Sequence, residues 1–505
     1  MLARLAELPL LVVLIGLSGS LALLPALYAV GTDQTALGRD FLWSALLILI
    51  GTVMLGIATA AFSPRNLARS HLAALVGAYA VLPPVMALPL LEAVPDTTFV
   101  NAWFEMLSAF TTTGATVYAP DRLPDAVHLW RALVGWFGGF ITLLAAYAIL
   151  APLNLGGSEV ASGRVPGRGA QGASQVTRTA EPTERLVRFA LQLFPIYTAL
   201  TLCLWVALLI AGDDGITALI HAMGTLSTSG ISGQTALGST GSGLIGEVLI
   251  LAFLIFAITR RAFPGTGLSE NRRPLFGDPE LRLAGLILVT VTVLLFLRHW
   301  IAADSGIVPV GDDRALPSLW GIFFTATSFL TTTGYVSAEW QVGAAWSGVG
   351  TPGLLLMALA IIGGGTATTA GGVKLLRVYA LLRHGERELE RIIHPNSIGS
   401  GGTDARRLRQ GGAQLAWVFF ILFAVSIAVT VALLALFGVA FEPALVLAVA
   451  ALTTTGQLAE LGGGQPIPYT DLSTAVKAVL GLAMIVGRLE TLALLALILP
   501  ERGRR

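Results

Sequence analysis

The chain has 505 residues, 55% hydrophobic and only 12% charged, with a mean hydropathy of +0.77. A soluble domain carries about 25% charged residues, so this composition excludes a soluble fold and describes a polytopic membrane protein. A single cysteine, Cys203, excludes disulfides and thiolate metal centres, the six histidines show no ligand spacing, and the net charge of +1 conceals an uneven distribution.

Apolar runs long enough to cross about 30 Å of hydrocarbon lie near residues 8–30, 41–62, 72–91, 129–152, 187–211, 243–262, 281–302, 346–362, 412–438 and 473–498. The first is long, has only Arg4 ahead of it and no small-residue cleavage site behind it, so it reads as a retained helix rather than a signal peptide. Four shorter apolar segments, about 99–110, 215–226, 318–330 and 441–452, are too short to span. Each stops at a hydroxyl-rich run ending in glycine: FTTTGATV (Phe110 to Val117), LSTSGIS (Leu226 to Ser232), LTTTGYV (Leu330 to Val336) and LTTTGQL (Leu452 to Leu458). Their glycines, Gly114, Gly230, Gly334 and Gly456, are 116, 104 and 122 residues apart.

This pattern predicts an all-α polytopic membrane protein with two leading helices and four M1–P–M2 repeats (helix, short pore helix and filter loop, helix) around a pseudo-fourfold pore. The leading pair occupies 1–67 and the first repeat 68–155. A cytoplasmic loop and the second repeat take 156–265, the third repeat with a broken second helix 266–395, and the fourth 396–505. Charge placement orients them. With the filter loops facing outward, 24 of the 31 basic residues fall on the cytoplasmic side, from Arg4, Arg65 and Arg69 through the 155–183 loop to Arg502, Arg504 and Arg505, as positive-inside topology requires. Both termini are then cytoplasmic. The long polar stretches 155–183 and 378–411 read as solvated connectors or as docking surfaces.

Hydroxyls and a glycine suit a cation filter. A dehydrated cation needs its water shell replaced by oxygens, from backbone carbonyls and a threonine hydroxyl. Glycine takes positive φ without a Cβ penalty, so successive carbonyls can face one side. Each short helix aims its negative C-terminal end at the same point, and irregular backbone at membrane depth is tolerated where it lines a wet path. The candidate ion-binding residues are Thr112, Thr113, Gly114, Thr228, Ser229, Gly230, Thr332, Thr333, Gly334, Thr454, Thr455 and Gly456. The plainer account is close helix packing by small residues. Carboxylates in the outward loops (Glu92, Asp96, Asp121, Asp125, Glu339, Glu460 and Asp471) read mostly as solvated side chains, with cation attraction the alternative.

Two further features lie at membrane depth. The helix Leu354 to Ile362 runs into GGGTATTAGGVK, Gly363 to Lys374, whose five glycines and three threonines will not hold a regular helix. Gly363, Gly364, Gly365, Thr366, Thr368, Gly371, Gly372 and Lys374 are candidate gate residues, the alternative being a kinked packing face. Arg488 lies about 15 residues beyond the outward start of the last helix, roughly 22 Å deep. A charge there costs about 2.5–3.5 kcal/mol, so it needs a wet cavity or a partner unless it snorkels to the inner surface. Glu490 points elsewhere on the helix. A gate role is the sharper reading of Arg488.

These residues resemble the TrkH-type subunits of the Trk/Ktr/HKT potassium transporter superfamily over nearly the whole chain. The resemblance is carried by WFGGF (Trp136 to Phe140), HAMGTLSTSGIS (His221 to Ser232), IGGGTATTAGGVKLLRV (Ile362 to Val378), ERELERIIHPNSI (Glu386 to Ile398) and VGRLETLALLALILP (Val486 to Pro500). It implies potassium (K+) uptake across a bacterial inner membrane through a filter of carbonyls. It also implies a homodimer with one pore per protomer, an intramembrane gating loop at Gly363 to Gly372, and Arg488 as its basic neighbour. The implied partner is a cytoplasmic TrkA-like ring of nucleotide-binding RCK domains. With no Rossmann or Walker motif here, nucleotide falls to that partner, and no nucleic acid is involved. In this superfamily serine in place of the first-filter glycine goes with sodium preference, so Gly114 supports potassium. The fourth filter, TTTGQL, departs from the Asn- and Pro-containing form, which leaves selectivity at that quarter open. An ion-coupled (H+ or Na+) symporter, or a less selective K+/Na+ pathway, is the alternative. No Ser–His pair, HExxH or Asp pair recurs at membrane depth to suggest an enzyme.

Overall fold

The computed structural model describes residues 9–60, 67–153, 182–233, 237–263, 275–304, 314–394 and 412–489. Almost all of the 155–183 stretch, residues 395–411 and residues 490–505, Glu490 among them, lie outside the described residues. So do Arg4, Arg65, Arg164, Arg168, Arg178, Arg272, Arg273, Arg406, Arg407, Arg409, Arg502, Arg504 and Arg505 of the orientation argument.

Among the described residues there are helices and no strands. Seven helices among the described residues are long and apolar enough to cross a membrane: Leu10–Gly31, Thr35–Thr59, Ser70–Ala93, Asp125–Leu150, Thr183–Ala211, Pro279–Ile301 and Gly412–Leu436. The first bends at Ala22 between Leu10–Leu21 and Leu23–Gly31, where Pro25 has no amide to offer the carbonyl of Leu21. The short apolar segments are helices Phe99–Phe110, Gly215–Ser227, Ala315–Leu330 and Phe441–Leu452, within three residues of their expected bounds. At 12 to 16 residues they reach only about 18–24 Å. Two of them start at a side-chain cap: Thr98 accepts from Asn101 N–H, and Asp214 accepts from Ile216 N–H.

Two expected spans are broken. The 346–362 run divides into helices Trp340–Ser347 and Gly353–Ile362, because Gly348 turns left-handed (φ 61°) and Pro352 follows two residues after Gly350. The 243–262 run ends its helix at Ile258; Thr259 is extended and its hydroxyl bonds the Asp278 carboxylate instead of continuing the helix.

Burial places these helices relative to the centre. In Gly412–Leu436 only 22% of the apolar window is buried within the chain, whereas in Asp125–Leu150 the figure is 94%. The latter carries WFGGF, and its glycines admit two half-helix ends at close range. A Cβ on Gly138 would overlap the Phe110 carbonyl, and one on Gly139 would lie 2.8 Å from the Ser227 Cβ. Small residues at such a crossing let backbones touch, and here they seat the first and second hydroxyl-rich turns against one helix.

Candidate functional site

Each half-helix ends in the same turn. Thr112, Thr228, Thr332 and Thr454 adopt left-handed φ of 56°, 54°, 55° and 55°. The amide of each bonds three residues back, to Ala109, Thr225, Phe329 and Ala451. The next amide bonds five back: Thr113 to Ser108 (2.8 Å), Ser229 to Gly224 (3.0 Å), Thr333 to Ser328 (2.9 Å) and Thr455 to Ala450 (2.8 Å). This is the Schellman closure that helices usually make with glycine. A β-branched residue at positive φ is an outlier, costing about 1–3 kcal/mol at each turn, so the surroundings over-determine it.

Hydroxyls brace the turns locally. Thr111 Oγ1 donates to the Leu107 carbonyl (2.8 Å) and pairs with Thr113 Oγ1 (2.8 Å); Thr331 pairs with Thr333 (3.0 Å), Ser227 with Ser229 (2.9 Å) and Thr453 with Thr455 (3.3 Å). Thr112 Oγ1 and Thr454 Oγ1 are buried without a hydrogen-bond partner among the described residues.

The four turns meet in chain order. A Cβ on Gly114 would strike the Ser229 carbonyl, and one on Gly230 the Thr333 carbonyl. One on Gly334 would strike Gln457, and Gly456 N–H donates to the Thr113 carbonyl at 2.6 Å. The first three of these glycines have positive φ (71°, 59° and 84°); Gly456 does not. The threonines, Ser229 and the first residues of all four turns are buried. Sequence-predicted residues Thr112 to Gly114, Thr228 to Gly230, Thr332 to Gly334 and Thr454 to Gly456 therefore come together as one cluster of carbonyl and hydroxyl oxygens. Such a cluster can replace water around a cation.

Carboxylates that sequence reading passed over, Glu105 and Glu247 buried and Glu442 exposed, hold the chain beyond three of the turns. Glu105 is ion-paired with Arg131 (2.6 Å) and accepts Val117 N–H at 2.9 Å. Glu247 accepts from Ala338 N–H (2.7 Å), Ser337 Oγ (2.7 Å) and Trp320 Nε1 (2.5 Å). Glu442 accepts Gly464 N–H at 2.9 Å. A signal existed: Glu105 and Glu247 are isolated acids inside apolar segments. The outward-loop carboxylates differ, since Glu92, Asp96, Asp121, Glu460 and Asp471 are exposed and Asp125 and Glu339 half-buried.

The 363–374 segment leaves and re-enters at a narrow neck. Val373 and Lys374 N–H bond the carbonyls of Ile361 and Ile362 (2.9 Å each), and Gly363 (φ 74°) packs on Gly372 (φ 75°) so closely that a Cβ on either would overlap the other strand of the neck. Between them the buried loop extends under the turns. Gly371 N–H donates to Thr332 Oγ1 at 2.7 Å, and Thr369 Oγ1 to the Leu226 carbonyl at 3.2 Å. Gly365 N–H and Thr368 Oγ1 both reach the Ala257 carbonyl (2.9 and 3.1 Å). Thr366 N–H donates to Glu280 Oε1 at 2.8 Å, and Gly364 accepts from Leu375 N–H.

Arg488 is brought to this loop. Its Nη1 donates to the Thr369 carbonyl at 2.6 Å and its Nε to Thr142 Oγ1 at 2.8 Å, while Lys374 Nζ bonds the Ala370 carbonyl. Thr142, Gly371, Gly372, Lys374 and Arg488 line one cavity below the turns. Arg488 therefore docks inside the protein instead of snorkelling. Glu280, which anchors the opposite side of the loop, escaped sequence reading because it begins an apolar helix and looks like a first-turn acid.

The family described as TrkH, cation transport protein, matches residues 68–501. The chain is 30% identical over 480 residues to the Trk system potassium uptake protein TrkH of Halomonas elongata, covering 92% of this chain and 93% of that protein. It is 29% identical over 435 residues to the protein of the same name from Escherichia coli K12, covering 84% of each. The crystal structure of the potassium transporter TrkH from Vibrio parahaemolyticus superposes with a TM-score of 0.78 at 26% identity, covering 99% of both chains. The chain belongs to the TrkH family of cation transport proteins, and is a multi-pass membrane transporter and not an enzyme.

Proposed function

We propose that this protein takes up potassium across the bacterial inner membrane through a gated, channel-like pore. The observation that carries this reading is the set of four matching turns, each with a left-handed threonine, touching one another in chain order. The permeant K+ is held by carbonyls and hydroxyls of Thr112 to Gly114, Thr228 to Gly230, Thr332 to Gly334 and Thr454 to Gly456, with four repeats arranged about the pore axis. The turns are short, so fewer ion sites stack here than behind a TVGYG filter.

The 363–374 loop is the gate. It lies against the Thr332 and Thr454 end of the turns, and Arg488 fastens it from the last helix. A fixed positive charge beside the path opposes a cation while the loop is closed. The filter faces outward and both termini face the cytoplasm, where a TrkA-like nucleotide-binding RCK subunit acts on a homodimer of this chain. Nucleotide binds that subunit and not this one.

Rubidium uptake into proteoliposomes, with Na+ and Li+ as competitors, tests the pore. Gly334→Val places a β-branched residue at φ 84° against Gln457 and is expected to abolish uptake. Uptake at the wild-type rate would sink the reading. A steep dependence on a proton or sodium gradient beyond its voltage effect would favour a symporter instead.

A further inference from the structure

The fourth turn differs from the others in a way that assigns a role to one side chain. Gln457 follows Gly456, and its amide extends over the glycine end of the cluster, opposite the end met by the 363–374 loop. Nε2 donates to the carbonyls of Gly230 (3.0 Å) and Ser229 (3.3 Å) on the second turn. A Cβ on Gly114 would sit 2.6 Å from the same nitrogen, and one on Gly334 would overlap Oε1. One side chain thus touches all three other turns. Its Oε1 is buried and has no hydrogen-bond partner among the described residues.

The chemistry is specific. Carbonyls that must face a cation are here occupied by an N–H donor, whose partial positive charge opposes a cation at that level. The unpartnered Oε1 is an acceptor of the kind a cation needs, on the same rotatable amide. We propose that Gln457 is a selectivity-determining latch at the glycine end of the filter. In the latched pose Nε2 ties down Ser229 and Gly230. When an ion enters, the amide swings away and releases these carbonyls, and Oε1 joins them as a ligand. Only a cation whose dehydration is offset by that exchange passes quickly. This rests on the pore reading and adds to it the residue that sets discrimination at its outer end.

The test measures 86Rb+ uptake, its KM and its inhibition by Na+ in proteoliposomes for the wild type, Gln457→Ala and Gln457→Glu. Alanine removes both latch and ligand; the expected result is faster uptake at saturating Rb+ and an Rb+/Na+ preference reduced about tenfold, the change that 1.4 kcal/mol produces. Glutamate keeps the shape but cannot donate, so KM for Rb+ should fall. Thermal protection of the purified proteins by Rb+ relative to Na+ gives a second readout that needs no flux, with the alanine variant losing the difference. Both variants showing wild-type KM, Na+ inhibition and protection would overturn the proposal, as would loss of all uptake in both at normal membrane abundance. Absence of Rb+ uptake by the wild type would instead overturn the pore reading itself.

Discussion

Two kinds of irregular backbone meet at the centre of this helical protein, both built from glycine and threonine, and they are held in opposite ways. The four hydroxyl-rich turns are closed by their own half-helices, through amide bonds reaching three and five residues back and hydroxyl pairs two residues apart. The 363–374 loop, beyond its neck, is held mainly by distant groups: the Ala257 and Leu226 carbonyls, Thr332 Oγ1, Glu280 and Arg488. A turn closed by its own half-helix keeps its backbone hydrogen bonds when a distant group moves, although the strain at its threonine still needs the packing around it. A loop tied by single bonds to several separate elements has a conformation its neighbours can change, as a two-state element requires. In the proposed pore the same residue types therefore serve as a fixed selector in one place and a movable barrier in the other.

Breaking the fixed side should have the larger effect. Glu105→Ala leaves Arg131 buried without its carboxylate and frees Val117 N–H. Loss of a buried pair costs about 3–5 kcal/mol, so a clearly lowered Tm in detergent and loss of Rb+ uptake are expected. An unchanged Tm would show that the segment behind the first turn does not need this brace.

Loosening the movable side should alter flux more than stability. Arg488→Ala removes two charge-assisted bonds to the loop and to Thr142, each worth about 1.5–3 kcal/mol. Basal Rb+ uptake without a regulatory subunit is expected to rise about tenfold or more, as a shift of that size in a closed state implies. Equal or lower basal uptake would remove Arg488 from the gate while leaving the turns as they are. Glu280→Gln keeps an acceptor for Thr366 N–H but replaces a carboxyl oxygen by an amide NH2 on the same buried side chain. A severalfold rise in basal uptake is expected, smaller than for Arg488→Ala, because the substitution perturbs one bond whereas Arg488→Ala removes two. A larger rise than for Arg488→Ala would reverse the ranking of the loop's two anchors.

The smallest effect lies outside both regions. Arg383 and Glu386 pair at 2.8 Å on an exposed helix face, and such pairs contribute about 0–1 kcal/mol. Arg383→Ala should leave Tm and uptake within error. A measurable loss of uptake with an intact Tm would mark Leu375–Ile393 as more than a solvated connector.

Much of the fold was legible because membrane burial imposes simple lengths. Half-helices such as Phe99–Phe110 and Phe441–Leu452 announce themselves by being apolar and too short, and Thr-Thr-Gly marks where they stop. The broken span at 346–362 was misread because hydropathy averages over Gly348, Gly350 and Pro352 without registering that they end helices. Glu247 could not be assigned: its partners Trp320, Ser337 and Ala338 are at least 73 residues away. Gln457 was visible only as a departure at the fourth turn, since nothing in LTTTGQL says that a side-chain amide reaches the second turn.

By itself the order of residues determined that this chain is a bundle of membrane helices, where four of them stop short, and which turn follows each, since hydropathy and local hydrogen bonding act over a few residues. Tertiary structure alone decided that the turns meet, that Arg488 and Glu280 clasp one loop from opposite sides, and that Gln457 lies over three other turns. Those contacts join residues 86 to 343 positions apart, and only packing in three dimensions sets such distances.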